Sequence, residues 1–492
     1  MRPLSGPDTA DDDLRVARQS STCRIREGFD LVGAARKRGR LNMPRHHDTI
    51  AALATPAGTA AIALLRISGP DTLALVDRLV GRSPLPRVVT HVDYRDRAGV
   101  LLDDVLLTYF AGPRSYTGED AAEVTCHGNP FIAQKILEDL FTRGCRPAEP
   151  GEFTQRAFLS GRMDLSQAEA VMDLIHARSE RALAAANDQL RGALGRRLQH
   201  LIDTLLAALA RVEAYIDFPD EDLPASDNQW VVDQVDWLLN ETSRLMATQH
   251  YGVLLRDGIK TVIVGEPNVG KSSLLNRLLG SERALVSPEP GTTRDFIEER
   301  MMVGAHCLRL IDTAGLNPSP APLERLGMKR TVERLEEADL VIAVADASRP
   351  DVGLPPEVEH ASGRGIRINV LNKCDLLSEA SPAPTSAQGT IHISALNGSG
   401  IAELTAAIGA AADSFRTEHG EDAVAISARH AHALAEATAA LRRANKILVT
   451  AGPVELVASE LRSALAAYGE ISGKVDNERM LDHLFATFCI GK

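Results

Sequence analysis

Residues Gly265–Ser272 read GEPNVGKS, a glycine-rich turn of the form GxxxxGKS, and its flanks decide the fold. TVIV (261–264) before it has the apolar, β-branched character of a buried strand, and SSLLNRLLG (272–280) after it has helical spacing. Strand, glycine turn and helix N-terminus in that order make a phosphate-binding loop. Gly265 and Gly270 let backbone N–H groups approach phosphate oxygens, Lys271 is placed to reach the β- and γ-phosphates, and Ser272 to ligate Mg²⁺.

Four further elements follow in order: GTTRD (291–295), DTAG (312–315), NKCD (372–375) and SAL (394–396). Asp312 closes the apolar stretch LRLI, where a metal-positioning carboxylate belongs, and Gly315 is free to turn toward a γ-phosphate. NKCD follows IRINVL, so Asp375 falls at the carboxyl end of a strand, where open α/β sheets bind nucleotides. An ionised carboxylate only accepts hydrogen bonds, which suits the N1–H and 2-amino donors of guanine and not adenine. The nucleotide is therefore GTP. Leu316 stands after DTAG, where many GTPases place a water-orienting glutamine, and leucine cannot orient water. Another group must do so, and charge developing between the phosphates needs a cation. Asn268 reads either as a side-chain oxygen holding a monovalent cation there or as a loop-stabilising amide.

With 492 residues and 44% hydrophobic content, the chain can bury several cores and should form about three domains. Six scattered cysteines contain no CxxC pair and no disulfide framework, and no apolar run reaches 18 residues. A reducing compartment, the cytoplasm, and no membrane span are expected. The net charge of −12 excludes general coating of a polyanion, so nucleic-acid contact would need a local basic surface. Residues 1–43 mix acidic and basic runs without an apolar signal core, and read as a disordered extension with Met43 as translation start. Residues 46–161 read as an α+β domain, 162–256 as helices, 258–416 as the GTPase domain, and 422–492 as helices ending in FCIGK. The fold class is multidomain α/β plus α, a discontinuous helical domain with a Ras-like GTPase domain inserted. Cys489 in FCIGK is either a packed or a functional thiol, packing being its ordinary use.

LLRISG, SYTGEDAAEVTCHG, the run GEFTQRAFLSGRMDLSQAEAV with its preceding proline, AYIDFPDED, GTTRD and the terminal FCIGK together resemble the MnmE (TrmE) family of tRNA-modification GTPases, from about Asp48 to Lys492. The resemblance implies an N-terminal folate-binding domain, a homodimer made through it, and a flavoprotein partner, MnmG (GidA), carrying FAD in a heterotetramer. The implied activity installs a (carboxymethyl)aminomethyl group at C5 of the wobble uridine of certain tRNAs. The one-carbon unit would come from 5,10-methylenetetrahydrofolate or 5-formyltetrahydrofolate. Arg66, Glu123, Arg162 and Lys492 fall at folate-contact positions; Cys489, in its functional reading, is the candidate for modification chemistry. Asn268, Ser287, Glu289 and Thr292 align with a K⁺-holding loop, Ser272 and Thr293 with Mg²⁺ ligands, and Glu324 with the glutamate that orients attacking water. Catalysis of GTP hydrolysis would rest on Glu324, Lys271 and Asp312. The implied GTP contacts are Asn268, Val269, Gly270, Lys271, Ser272, Ser273, Ser287, Pro288, Glu289, Pro290, Gly291, Thr292, Thr293, Asp312, Thr313, Ala314, Gly315, Asn372, Lys373, Cys374, Asp375, Ser394, Ala395 and Leu396.

Three positions depart from the family pattern. Arg162 stands where lysine is usual, Asn317 where arginine is common, and SPEPG stiffens the cation loop with extra prolines while keeping its carbonyls. The competing reading is a ribosome-assembly GTPase of the Era or Der kind, which would carry a KH-like RNA module after the GTPase domain. A folate-dependent transferase acting alone would need its own dinucleotide fingerprint, and none stands out.

Overall fold

The computed structural model describes residues 48–217, 225–281, 298–312, 332–349, 359–360, 365–377, 389–417, 424–473, 484–486 and 488–491. The extension read at 1–43 lies outside them. The N-terminal body is a six-stranded sheet in the order β3-β4-β5-β2-β1-β6, built from Ile50–Leu53, Ile62–Ser68, Val89–Arg95, Leu101–Phe110, Ala121–His127 and Arg146–Pro147 as β1 to β6. Alternation puts Ala63, Leu65 and Ile67 of β2 into the core beside Val124 and Cys126 of β5, with Leu75 of α1 (Thr72–Val80) and Ile136 of α2 (Pro130–Thr142) covering them. Asn129 caps α2 by accepting from the Phe131 N–H, and Pro130 occupies the first turn, where its missing N–H costs nothing. Helix α3 (Glu152–Leu159) closes this body.

Helices α4 (Leu165–His176), α5 (Glu180–Leu190), α6 (Ala193–Asp217), α7 (Ala225–Ala247) and α8 (Gln249–Asp257) follow. Asp164 and Gln167 form a reciprocal capping box at the start of α4. Beyond the GTPase domain the chain returns as α11 (Ala428–Val449) and α12 (Val454–Ser472). Leu198, Leu205 and Val212 of α6 and Val235 and Leu238 of α7 share one core with Leu434 and Leu441 of α11 and Leu461 and Tyr468 of α12. Segments more than 180 residues apart therefore build a single helical body. The KH-like module expected of a ribosome-assembly GTPase is absent among the described residues; helices stand in its place.

The inserted domain holds a second six-stranded sheet, order β12-β11-β10-β7-β9-β8. Its strands are β7 (Ile259–Val264), β8 (Glu298–Val303), β9 (His306–Asp312), β10 (Leu340–Asp346), β11 (Ile366–Asn372) and β12 (Thr390–His392), with only the β8–β9 hairpin antiparallel. Both faces are covered: Ile263 packs toward α9 (Lys271–Ser281) and α10 (Ile401–Thr417), while Val262 and Val264 pack with Leu335 and Ala338. That is why TVIV reads as an unbroken apolar run.

Candidate functional site

At the carboxyl ends of the parallel strands, β7 runs into the phosphate loop, β9 ends at Asp312, β10 at Asp346 and β11 at Asn372. The loop after β7 wraps back so that Lys271, the first residue of α9, is buried and donates to the carbonyls of Gly265 (3.0 Å) and Glu266 (2.8 Å). Asn268 turns the loop in the left-handed region (φ 64°), which asparagine tolerates better than most side chains, and its side chain is exposed. Val269 is buried, while Ser272 and Ser273 face outward in the first turn of α9. A Cβ on Gly270 would lie 2.3 Å from Asn372 Nδ2, so only glycine admits this approach.

Asn372 is the hub of the site. Its Nδ2 donates to the Val269 carbonyl (2.8 Å) and its Oδ1 accepts from the Ala395 N–H (2.9 Å), so one buried amide ties the phosphate loop to the SAL segment. Lys373 holds a left-handed conformation (φ 68°) and pairs at 2.7 Å with Asp346, the last residue of β10. Burial acts to raise the Asp346 carboxyl, but hydrogen bonds from Lys373 and Ser348 outweigh it and hold it below its usual range. Asp375 is exposed and accepts from Ser394 Oγ, which sets its carboxylate's orientation. The Cys374 N–H donates to Ile393, and burial raises its thiol, so Cys374 serves through its backbone. Leu396 is 79% exposed at the rim. Between these walls lies an open cavity of about 670 Å³, lined by Gly270, Ser273, Arg277, Asn372, Asp375 and Ala395 among others.

Asp312 ends β9 opposite Ile263 of β7, one strand over from the phosphate loop. Ser287, Pro288, Glu289, Pro290, Gly291, Thr292, Thr293, Thr313, Ala314, Gly315, Leu316, Asn317 and Glu324 lie outside the described residues. The sequence reading missed two contributors. Asp346 carried a signal, an acid ending a buried parallel strand just as Asp312 does. Arg277, which donates to the carbonyls of Ala395 (3.1 Å) and Leu396, carried none, since one arginine on a helix reads as a surface charge.

A second cluster forms in the N-terminal body. Arg66 of β2 and Glu123 of β5 face each other in register and pair at 2.9 and 3.2 Å. Arg66 Nη1 also donates to the Gly491 carbonyl (3.2 Å), and the guanidinium lies over the rings of Tyr116 and Phe153. The C-terminal segment is thus pinned beside these two residues. Arg162 is exposed after α3, its N–H bonded to Ala157; among the described residues it makes no side-chain hydrogen bond. Lys492 lies outside the described residues. The packing role for Cys489 is corrected: its thiol is exposed, because Phe485 and Phe488 take the buried positions against Phe158 and Leu165. Its carbonyl accepts from the Gly151 N–H, which leaves the backbone anchored and the sulfur outward.

The fold and this site define a phosphate-loop GTPase carried on a helical scaffold. The family described as GTP-binding protein TrmE N-terminus matches residues 49–162, and MnmE helical domain matches residues 165–489, spanning the insertion. The chain is 60% identical over 452 residues to a protein of Opitutus terrae named tRNA modification GTPase MnmE, covering 92% of this chain and 100% of that one. Proteins with the same name from Akkermansia muciniphila and Symbiobacterium thermophilum are 46% and 42% identical, each over 90% of this chain and 99% of theirs. The chain belongs to the MnmE (TrmE) family, and it is a GTP hydrolase.

Proposed function

We propose that this protein is a tRNA-modification GTPase, activated by potassium. With a flavoprotein partner of the MnmG (GidA) kind it would install a (carboxymethyl)aminomethyl group at C5 of the wobble uridine of certain tRNAs. The observation that carries the reading is the pairing of a phosphate-loop site with a C-terminal tail docked far along the chain at Arg66, its free thiol exposed. In keeping with this, the relatives that match almost end to end bear the tRNA-modification name.

In the GTPase site, Asp375 selects guanine by accepting from its two donors, and Lys271 at the head of α9 neutralises phosphate charge with the helix N-terminal N–H groups. Ser272 and Thr293 would hold Mg²⁺; the exposed Ser272 hydroxyl at the helix start suits a hard cation. Asn268, with oxygens from Ser287, Glu289 and Thr292, would hold K⁺, whose charge offsets that developing between the phosphates. Glu324 takes the water-orienting role that Leu316 cannot fill. Asp312 would help to hold the Mg²⁺ site at the end of β9.

In the N-terminal body, Arg66, Glu123, Arg162 and Lys492 are the folate contacts of this reading. The donors and acceptor present suit a glutamate tail and a pterin edge, although Arg66 divides its hydrogen bonds between Glu123 and Gly491. Bound folate supplies the one-carbon unit. Dimerisation through the N-terminal bodies, FAD on the partner and a cytoplasmic location complete the proposal; among the described residues no helix is long and apolar enough to cross a membrane.

The test is Cys489→Ser assayed twice. GTP hydrolysis should stay within twofold of wild type, since the tail lies outside the inserted domain, while modified wobble uridine, measured by nucleoside analysis of reconstituted tRNA, should fall at least tenfold. Wild-type modification by the variant returns Cys489 to a bystander. A deletion strain with unchanged tRNA nucleosides and defective ribosomal subunits would overturn the whole reading.

A further inference from the structure

Away from both clusters, a cavity of about 260 Å³ opens where the helical body meets the two chain segments that lead into and out of the GTPase domain. Helices α4 and α5 form one wall; α8, which runs into β7, and Ala425–Ile426, which run into α11, form the other. These two connections touch directly: a Cβ on Gly252 would lie 2.3 Å from the Ile426 carbonyl oxygen. The far end of α5 reaches the GTPase domain as well, the Arg181 N–H donating to the Ala305 carbonyl in the β8–β9 turn.

The wall is mixed: Ala182 and Ala186 of α5 and Ile426 supply apolar surface, and Asp173, His176, Gln189, Arg256 and Asp257 supply polar groups. One of these stands out. Gln189 is only 5% exposed, and its carboxamide nitrogen has no hydrogen-bond partner. An unpaired buried amide costs about 1–3 kcal/mol, a penalty seldom carried without cause. The charged groups of the lining are largely matched among themselves: Arg256 is held in a two-pronged pair with Asp173 at 2.8 and 2.9 Å, and Asp257 and His176 complete the set. An anion would face two carboxylates, and a cation would meet an arginine whose acid is already engaged.

We propose that this cavity is a binding site for a small uncharged molecule that carries a carboxamide on a compact apolar body. An amide matches Gln189 whichever way its own amide is turned, since each end then meets a complementary one. A ligand there would touch both connections of the GTPase domain and the helix that contacts its β8–β9 hairpin, so its occupancy would couple to the orientation of that domain.

Benzamide, which has both features, is the probe. Titrated into the full-length protein and followed by ligand-detected NMR and by soaking crystals, it should bind with its amide against Gln189. Gln189→Leu should weaken it roughly fivefold or more, the loss of one buried hydrogen bond. Ala182→Leu, two turns along α5 from Gln189, fills the cavity from the same wall and should abolish binding, and wild-type GTP hydrolysis by both variants shows that they fold. Failure to bind up to its solubility limit, ordered water alone against Gln189, or equal binding to both variants overturns the site.

Discussion

Asn372 and Asp375 sit three residues apart in one motif and do different work. Asn372 is buried and structural, spanning from Val269 to Ala395, whereas Asp375 is exposed at the cavity, as the proposed contact to a base requires. Asp375→Asn should therefore keep the fold and change the preference: its new amide donor complements a carbonyl at C2, so xanthosine triphosphate should displace GTP in competition binding by at least tenfold relative to wild type. Unchanged preference would remove Asp375 from the base site. The cation expectation belongs to single residues too. GTP hydrolysis should be at least tenfold faster in potassium than in sodium chloride at equal ionic strength, and Glu324→Ala should slow turnover a hundredfold with little change in GTP affinity. Equal rates in the two salts would discard the Asn268 assignment.

Helix α4 is fastened to α11 by charge. Glu169 accepts from Arg429 Nε (2.6 Å) and pairs with His430 (2.9 Å), and Arg429 also donates to the last carbonyls of α12. Burial opposes ionisation of Glu169, yet His430 and Arg429 outweigh it and bring its carboxyl down to about 2. A carboxyl lowered on folding contributes stability that is present above its unfolded value, near pH 4.5, and is lost as pH falls from there toward 2. Glu169→Gln should cost about 3 kcal/mol at neutral pH, because it removes the buried carboxylate that Arg429 and His430 both face. The difference between variant and wild type in chemical denaturation should shrink between pH 4.5 and 3; a constant difference would show that packing, not charge, joins these helices.

The molecule is threaded so that its last residues return to its first sheet. Phe485, 2% exposed, packs with Phe158, Leu165 and Phe488, and the Gly491 carbonyl meets Arg66. Phe485→Ala removes most of that anchor, a loss of about 3 kcal/mol for a buried phenylalanine. It should leave GTP hydrolysis at the wild-type rate while limited proteolysis releases the C-terminal segment and tRNA modification falls. Lost GTP hydrolysis in a folded variant would mean that the tail acts on the GTPase domain.

The GTPase fold was legible because its logic is local. Strand, turn and helix start are contiguous around GEPNVGKS, so reading them needs no distant partner. The same locality made the helices legible, since three- and four-residue spacing needs no knowledge of partners. What no local pattern could show was pairing across long separations: Arg66 with Glu123 and Gly491, Glu169 with Arg429, Arg277 with the SAL carbonyls. Cys489 shows why. Its residue type favours burial, but two neighbouring phenylalanines claim the apolar surface of α3 and α4, and a chain crossing that surface can bury only one side. Which side faces inward depends on what the rest of the molecule brings to meet it.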